Sequence, residues 1–272
     1  MAQLFWAEEG GVPPGDRGLA YGDGLFETIL VEGGQAPMLA YHLDRMVRDA
    51  ARLGIVISRP ELDSVFRKAL TRYSGMDSAD CCIFKFILTR GAGGRGYRPD
   101  PGIQPNLLVS RSPAPPRPAP GGVIVDFSRI PLTVNPLFSG IKSLNRLEQV
   151  MASRELTGDL FEVLMANSAG HIVEGTRTNL FIETDSGWLT PPVDTLAVAG
   201  VMRRWVLERL RAVGEAAKEC PVLPEDLLGE RCRGVYLTNS VLGVVAVRSL
   251  AGQDLPVAGR LATICDPTTT TE

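Results

Sequence analysis

Apolar positions recur along this chain with two spacings, and the switches between them predict the elements. Strand-like runs at 26–31 and 37–39 flank Gly33 and Gly34, which predicts a hairpin. Leu39, Leu43, Met46, Val47, Ala50 and Leu53 then follow helical spacing, with Gly54 as the stop. A second helix opens at Pro60 and places Leu62, Val65, Phe66, Ala69 and Leu70 on one face. The runs 82–89 and 107–110 read as buried strands. Further on, 123–127 is a strand, 135–140 a loop of helix-breaking residues and 143–156 a helix. Two hairpins turn at 167–170 and 185–187, Gly200 opens a helix to about Val213, and 235–247 is rich in strand. Consecutive hairpins with helices grouped between them predict an α+β fold with mixed or antiparallel sheets, not a doubly wound parallel one.

The stretch 112–122, SPAPPRPAPGG, breaks the periodic pattern. Its prolines lack amide donors and favour extended backbone, which predicts a stiff, exposed linker. It divides the chain into an N-terminal α+β domain (1–111) and a C-terminal α+β domain (123–272). The closing PTTTTE reads as a frayed end. A net charge of −3 offers no basic footprint for nucleic acid or an anionic membrane. The five cysteines form no CxxC pair and the only histidines are His42 and His171, so neither a disulfide framework nor a metal centre is expected. The start, MAQLFWAEEGG, lacks the features of a signal peptide, and no apolar run approaches the roughly 20 residues of a membrane helix. The expectation is a cytoplasmic protein with a small-molecule substrate.

Candidate chemistry begins with the lysines, of which there are few: Lys68, Lys85, Lys142 and Lys218. Lys68 and Lys218 lie in polar helical contexts, and Lys85 sits in the apolar run CCIFKFIL, where alternation can turn it outward. Lys142 stands at a loop-to-helix junction, a position that suits a nucleophilic amine or a solvated one. Glu174, between Val173 and Gly175, suits a stabilising carboxylate or a solvated turn. The amides at Gly200, Val201 and Met202 begin a helix and suit a phosphate, as every helix start does. Asn239 and Ser240 end a strand and can donate to an anion. The segment RGAGGRGY, from Arg90 to Tyr97, is cationic and suits carboxylates; it lacks the Gly-Lys-Ser/Thr ending of a nucleotide-binding loop. His42 and Arg45, one helical turn apart, read as an ordinary exposed pair.

In order, YGDGLFET, HLDRM, RGAGGRGY, GIKSLNRLEQV, VEGTRTNLF, AGVMRR and LTNSVLGVVAV resemble the fold type IV pyridoxal-phosphate enzymes, the branched-chain aminotransferase-like superfamily. The resemblance runs from about residue 15 to residue 250. Within it, RGAGGRGY and GIKSLNRLEQV are most similar to the aminodeoxychorismate lyases, which split 4-amino-4-deoxychorismate into 4-aminobenzoate and pyruvate in folate biosynthesis. Aminotransferases of the branched-chain or D-amino-acid type share the lysine motif and are the alternative, and a non-catalytic cofactor-binding protein is a remote one. The ending TNSVLGVVAV lacks a proline more usual in the lyases, so the resemblance bears more on cofactor than on substrate.

The resemblance implies pyridoxal 5'-phosphate as the cofactor, no metal, and a homodimer. It implies that Lys142 carries the cofactor and that Glu174 pairs with the pyridine nitrogen. Arg45, the amides of Val201 and Met202, and the Ser240 hydroxyl would hold the phosphate, with Asn239 at the same site. Arg90, Arg95 and Tyr97 are the implied contacts for substrate carboxylates.

Overall fold

In the computed structural model, which describes residues 1–74 and 81–265, the chain divides into two units. Met1–Pro115 with Lys142–Asn145 forms the first, and Pro116–Ile141 with Arg146–Glu272 the second. The division falls inside the proline-rich stretch, most of whose residues are exposed.

The first unit runs β1 (Gln3–Trp6), α1 (Arg17–Tyr21), β2 (Gly24–Glu32), α2 (Leu39–Leu53), α3 (Arg59–Tyr73), β3 (Cys81–Thr89) and β4 (Asn106–Pro113). Its sheet has the order β1-β4-β3-β2, with β1 parallel to β4 and the other pairs antiparallel. Every second side chain of β2 from Leu25 to Val31 is buried, as in a strand with one face on the core. Helix α2 packs on β2 with His42, Leu43, Arg45, Met46, Asp49 and Ala50 buried, and ends at Gly54, whose φ of 68° a side chain would strain. Helix α3 is capped by the Ser58 hydroxyl, which accepts from Glu61 N.

Two expectations are corrected here. Gly33 and Gly34 do turn the chain (φ 55° and 76°), but 37–39 is not the return strand: only an isolated Glu32–Gln35 bridge forms, and β2 pairs with β3 instead. Pro37 has no amide to give a ladder, and Leu39 serves the apolar stripe of α2. Nor is 143–156 one helix. Lys142–Asn145 packs with the first unit as an extended segment, and the helix, α4, covers only Leu147–Ser153. Lys142 therefore groups with residues 1–115 and not with the C-terminal portion that surrounds it in sequence. The PTTTTE end lies outside the described residues.

The second unit runs β5 (Val123–Phe127), α4, β6 (Leu160–Ala166), β7 (Ile172–Gly175), β8 (Asn179–Thr184), β9 (Gly187–Thr190), α5 (Val201–Ala212), β10 (Ala217–Glu219), α6 (Pro224–Leu228), β11 (Cys232–Asn239), β12 (Gly243–Leu250), β13 (Gln253–Asp254) and α7 (Arg260–Cys265). Its sheet is mixed, in the order β10-β9-β8-β11-β12-β5-β6-β7, with β13 added at β12. Both faces are covered. Val125, Leu164, Ile182, Val235 and Val247 join one apolar cluster, and Val163, Met165 and Val173 join Leu132, Ala152 and Leu196 in another. This is the α+β arrangement expected from the hairpin pattern. Among the described residues no helix is long and apolar enough to cross a membrane.

Candidate active site

Lys142 heads the short segment that leans on β2. Phe26 N donates to Lys142 O at 3.1 Å, Leu144 N to Gly24 O at 3.0 Å, and Asn145 Nδ2 to Gly22 O at 3.2 Å. With its backbone tied to a sheet strand, the half-buried side chain places Nζ 4.2 Å from the centre of the Phe26 ring. The ring face stabilises positive charge on the amine. Lys85, exposed on β3 as alternation predicts, reaches the same ring at 5.3 Å. Lys68 and Lys218 are exposed.

Arg45 and His42 are not an exposed pair. Alternation along β2 turns Glu27 to the buried face between Leu25 and Ile29, and helical spacing turns His42 and Arg45 toward it from α2. Arg45 Nε donates to Glu27 Oε1 at 2.7 Å and one terminal nitrogen donates to Oε2 at 2.6 Å, a two-pronged ion pair. His42 Nδ1 lies 2.6 Å from the same Oε2. Burial alone would raise the Glu27 carboxyl, but Arg45 and His42 outweigh it and bring the pKa down to about 2. Burial also lowers His42, against the pull of Glu27, so the ring is held toward its neutral form.

Both shifts make acid destabilising. Glu27, ordinarily near 4.5, contributes stability above that value and loses it as the pH falls toward 2; the span is worth on the order of 3 kcal/mol. Below about 6.5 the unfolded chain takes up a proton that the folded His42 resists, which begins the loss earlier. Urea midpoints measured from pH 8 to pH 3 are expected to fall in both windows. His42→Gln should remove the upper window and shorten the lower one, because His42 also helps Arg45 hold the Glu27 carboxyl down; a wild-type profile in that variant would contradict the assignment.

Arg90 is committed within the first unit. Its Nε and one terminal nitrogen grip the Asp23 carboxylate at 2.7 and 2.9 Å, and its terminal nitrogens also donate to Leu53 O and Gly54 O, at the end of α2. Asp23 also accepts from Arg17 Nε at 3.0 Å. Buried Arg17 then donates to Gly96 O and Tyr97 O at 3.0 and 2.6 Å, pinning the glycine-rich loop. On that loop Arg95, Tyr97 and Arg98 are exposed, and Tyr97 meets Tyr21 edge-on at 5.5 Å. Of the three residues expected at substrate carboxylates, Arg95 and Tyr97 present themselves outward while Arg90 holds the frame.

In the second unit Glu174 is the penultimate residue of β7, only 3% exposed. Its Oε2 accepts from Val198 N at 3.1 Å and, weakly, from Asn179 Nδ2 at 3.5 Å. Asn179 is a clip: Nδ2 donates to Val198 O at 3.0 Å and Oδ1 accepts from Gly200 N at 3.1 Å. This sets the approach to α5, whose first residues Val201 and Met202 are buried and whose N-cap, Gly200, has no side chain to occupy the leading amides. A Cβ on Gly200 would collide with Asn179 Oδ1. Gly200→Ala is therefore expected to cost about 1–3 kcal/mol by thermal or urea unfolding; an unchanged midpoint would show that Asn179 can move aside without loss.

Asn239 and Ser240 sit in the β11–β12 hairpin. Asn239 Oδ1 accepts from Val241 N and Leu242 N at 2.9 and 2.8 Å, closing the turn around Ser240, while Nδ2 reaches Arg177 O at 3.4 Å. Glu27, His42, Asn179 and Arg17 have no assigned role in the sequence reading. A carboxylate at a core-parity position of an apolar strand is the signal that points to Glu27, and a buried carboxylate needs a cation.

Known proteins resemble this chain over most of its length. The family described as amino-transferase class IV matches residues 24–250. An aminodeoxychorismate lyase of Vibrio harveyi is 33% identical over 92% of this chain and 93% of its own. The crystal structure of 4-amino-4-deoxychorismate lyase from Pseudomonas aeruginosa superposes with a TM-score of 0.87 at 34% identity, covering 94% of both chains. A D-alanine aminotransferase of Bacillus licheniformis is 28% identical over 88% of this chain and 83% of its own. A match over more than two thirds of the sequence, with the fold type IV architecture, makes the chain a member of the class IV aminotransferase family.

Proposed function

We propose that this protein is an aminodeoxychorismate lyase that uses pyridoxal 5'-phosphate and acts as a homodimer in the cytoplasm. The observation that carries the reading is the likeness to lyases at 33 and 34% identity over more than nine tenths of both chains, against 28–30% over 88% of this chain for aminotransferases. The side chains suit the cofactor. Lys142 supplies a primary amine, Glu174 a buried carboxylate for a protonated ring nitrogen, and the α5 start a set of amides with no side-chain cap for a phosphate. Arg45, steadied by Glu27, and Ser240 add phosphate donors, with Asn239 shaping the turn that carries Ser240. When bound, the cofactor supplies the electron sink of the reaction.

The chain's own groups do the rest. Lys142 Nζ takes the proton from the ring carbon that bears the substrate amine. The enolpyruvyl group then departs as enolpyruvate with its C–O electron pair and takes up a proton from solvent at its methylene carbon to become pyruvate, and aromatisation of the ring drives the step. Arg95 and Tyr97 contact the two substrate carboxylates, and Arg90 acts by holding their loop. Pyruvate release from 4-amino-4-deoxychorismate, followed through lactate dehydrogenase, tests the reading. No pyruvate, with turnover of an amino donor, would make the protein an aminotransferase instead.

A further inference from the structure

Glu162 lies on β6, two residues before Leu164, and none of it is exposed. A carboxylate so placed is costly unless its oxygens are saturated, and they are. Oε1 accepts from Thr176 N at 3.1 Å, Thr176 Oγ1 at 2.6 Å and Val163 N at 3.2 Å. Oε2 accepts from Arg177 N at 3.2 Å and Thr178 Oγ1 at 3.1 Å. The topology explains the need. Strands β7 and β8 are consecutive in sequence but are not paired with each other in the sheet, so the amides of the connection between them have no strand partner. Glu162 takes that place. Gly175 admits it closely, since a Cβ there would lie 2.7 Å from Glu162 Cγ.

The turn at 176–178 is joined to every candidate site segment of this unit. Glu174 stands two residues before it, across Gly175, and Asn179 immediately follows; through them it reaches Val198 and Gly200 at the start of α5. Arg177 O accepts from Asn239, whose Oδ1 closes the turn that carries Ser240. We propose that Glu162 is a positioning residue, a buried anion that assembles the segments 174–179, 198–202 and 239–242 by holding the 176–178 turn. An anion is required. The three backbone amides meeting its two oxygens cannot reverse their polarity, so a glutamine must turn an NH2 toward at least one of them. That these segments bind a cofactor rests on the function proposed above; that Glu162 couples them does not.

The test is amide hydrogen exchange on the full chain without added cofactor, followed by spectrophotometric titration with pyridoxal 5'-phosphate. Glu162→Gln is expected to speed exchange about 10–100-fold in all three segments, with strands β2 and β3 at wild-type rates, and to raise the cofactor dissociation constant at least about tenfold. Thr176→Val and Thr178→Val each remove one hydroxyl donor and should give smaller changes in the same three places, which decides the matter if the glutamine variant does not fold. Faster exchange confined to 176–178, or spread evenly over the chain, would overturn the proposal. A wild-type protein that does not bind the cofactor would overturn the functional reading alone, and the exchange pattern would still decide the role of Glu162.

Discussion

Lys142→Ala is expected to release no measurable pyruvate from 4-amino-4-deoxychorismate, a loss of at least about a thousandfold, or roughly 4 kcal/mol of barrier. The variant should also fail to retain the cofactor through gel filtration and lose the visible absorption band. The fold should be unaffected, because the segment is held by its backbone: Phe26 N donates to Lys142 O, and Leu144 N donates to Gly24 O whatever the side chain at 142. An unfolding midpoint close to wild type, within about 0.5 kcal/mol, would therefore accompany the loss. Lys142→Arg separates charge from nucleophilicity, since it keeps a cation for Phe26 to stabilise but offers no amine. Retained turnover in Lys142→Ala would transfer the role elsewhere, and Lys85, which reaches the same ring, is the first residue to examine.

Glu174→Gln should keep the cofactor bound and slow turnover by about 10²–10³-fold. The amide oxygen can still accept from Val198 N, so the clip formed with Asn179 and Gly200 survives and only the negative charge is removed. A lower kcat with little change in cofactor affinity is the signature of a group that matters for charge and not for attachment. Near-normal turnover would contradict the pairing of Glu174 with a protonated ring nitrogen. A variant that loses the cofactor altogether would place Glu174 among the residues that hold the site together, beside Glu162.

Much of the architecture was legible from local pattern. The stripe from Leu39 to Leu53 and the glycine stop at Gly54 specify α2, and the apolar run at 82–89 specifies β3, because both depend on neighbours within a few residues. The same holds for the turns at 167–170 and 185–187. The candidate residues Lys142, Glu174, Val201, Met202 and Ser240 were legible through the order of short motifs around them. Arg90 was legible only as a charge: that its donors are consumed by Asp23 and by the carbonyls at the end of α2 depends on residues 30 to 70 positions away.

The sequence by itself determined the spacing of helices and strands, the reduced set of lysines and the class of chemistry its motifs carry. Only the tertiary structure decided that Lys142–Asn145 is an extended segment against β2 and not the first turn of a helix, since its hydrogen-bond partners lie some 120 residues away. The same is true of the buried acids. Glu27 finds its cation, Arg45, on α2 and Glu162 finds its amides in the β7–β8 connection. In both cases a strand position that alternation would reserve for an apolar side chain carries a charge. Burial makes that charge unfavourable alone and stable only with donors that the fold brings to it from another element.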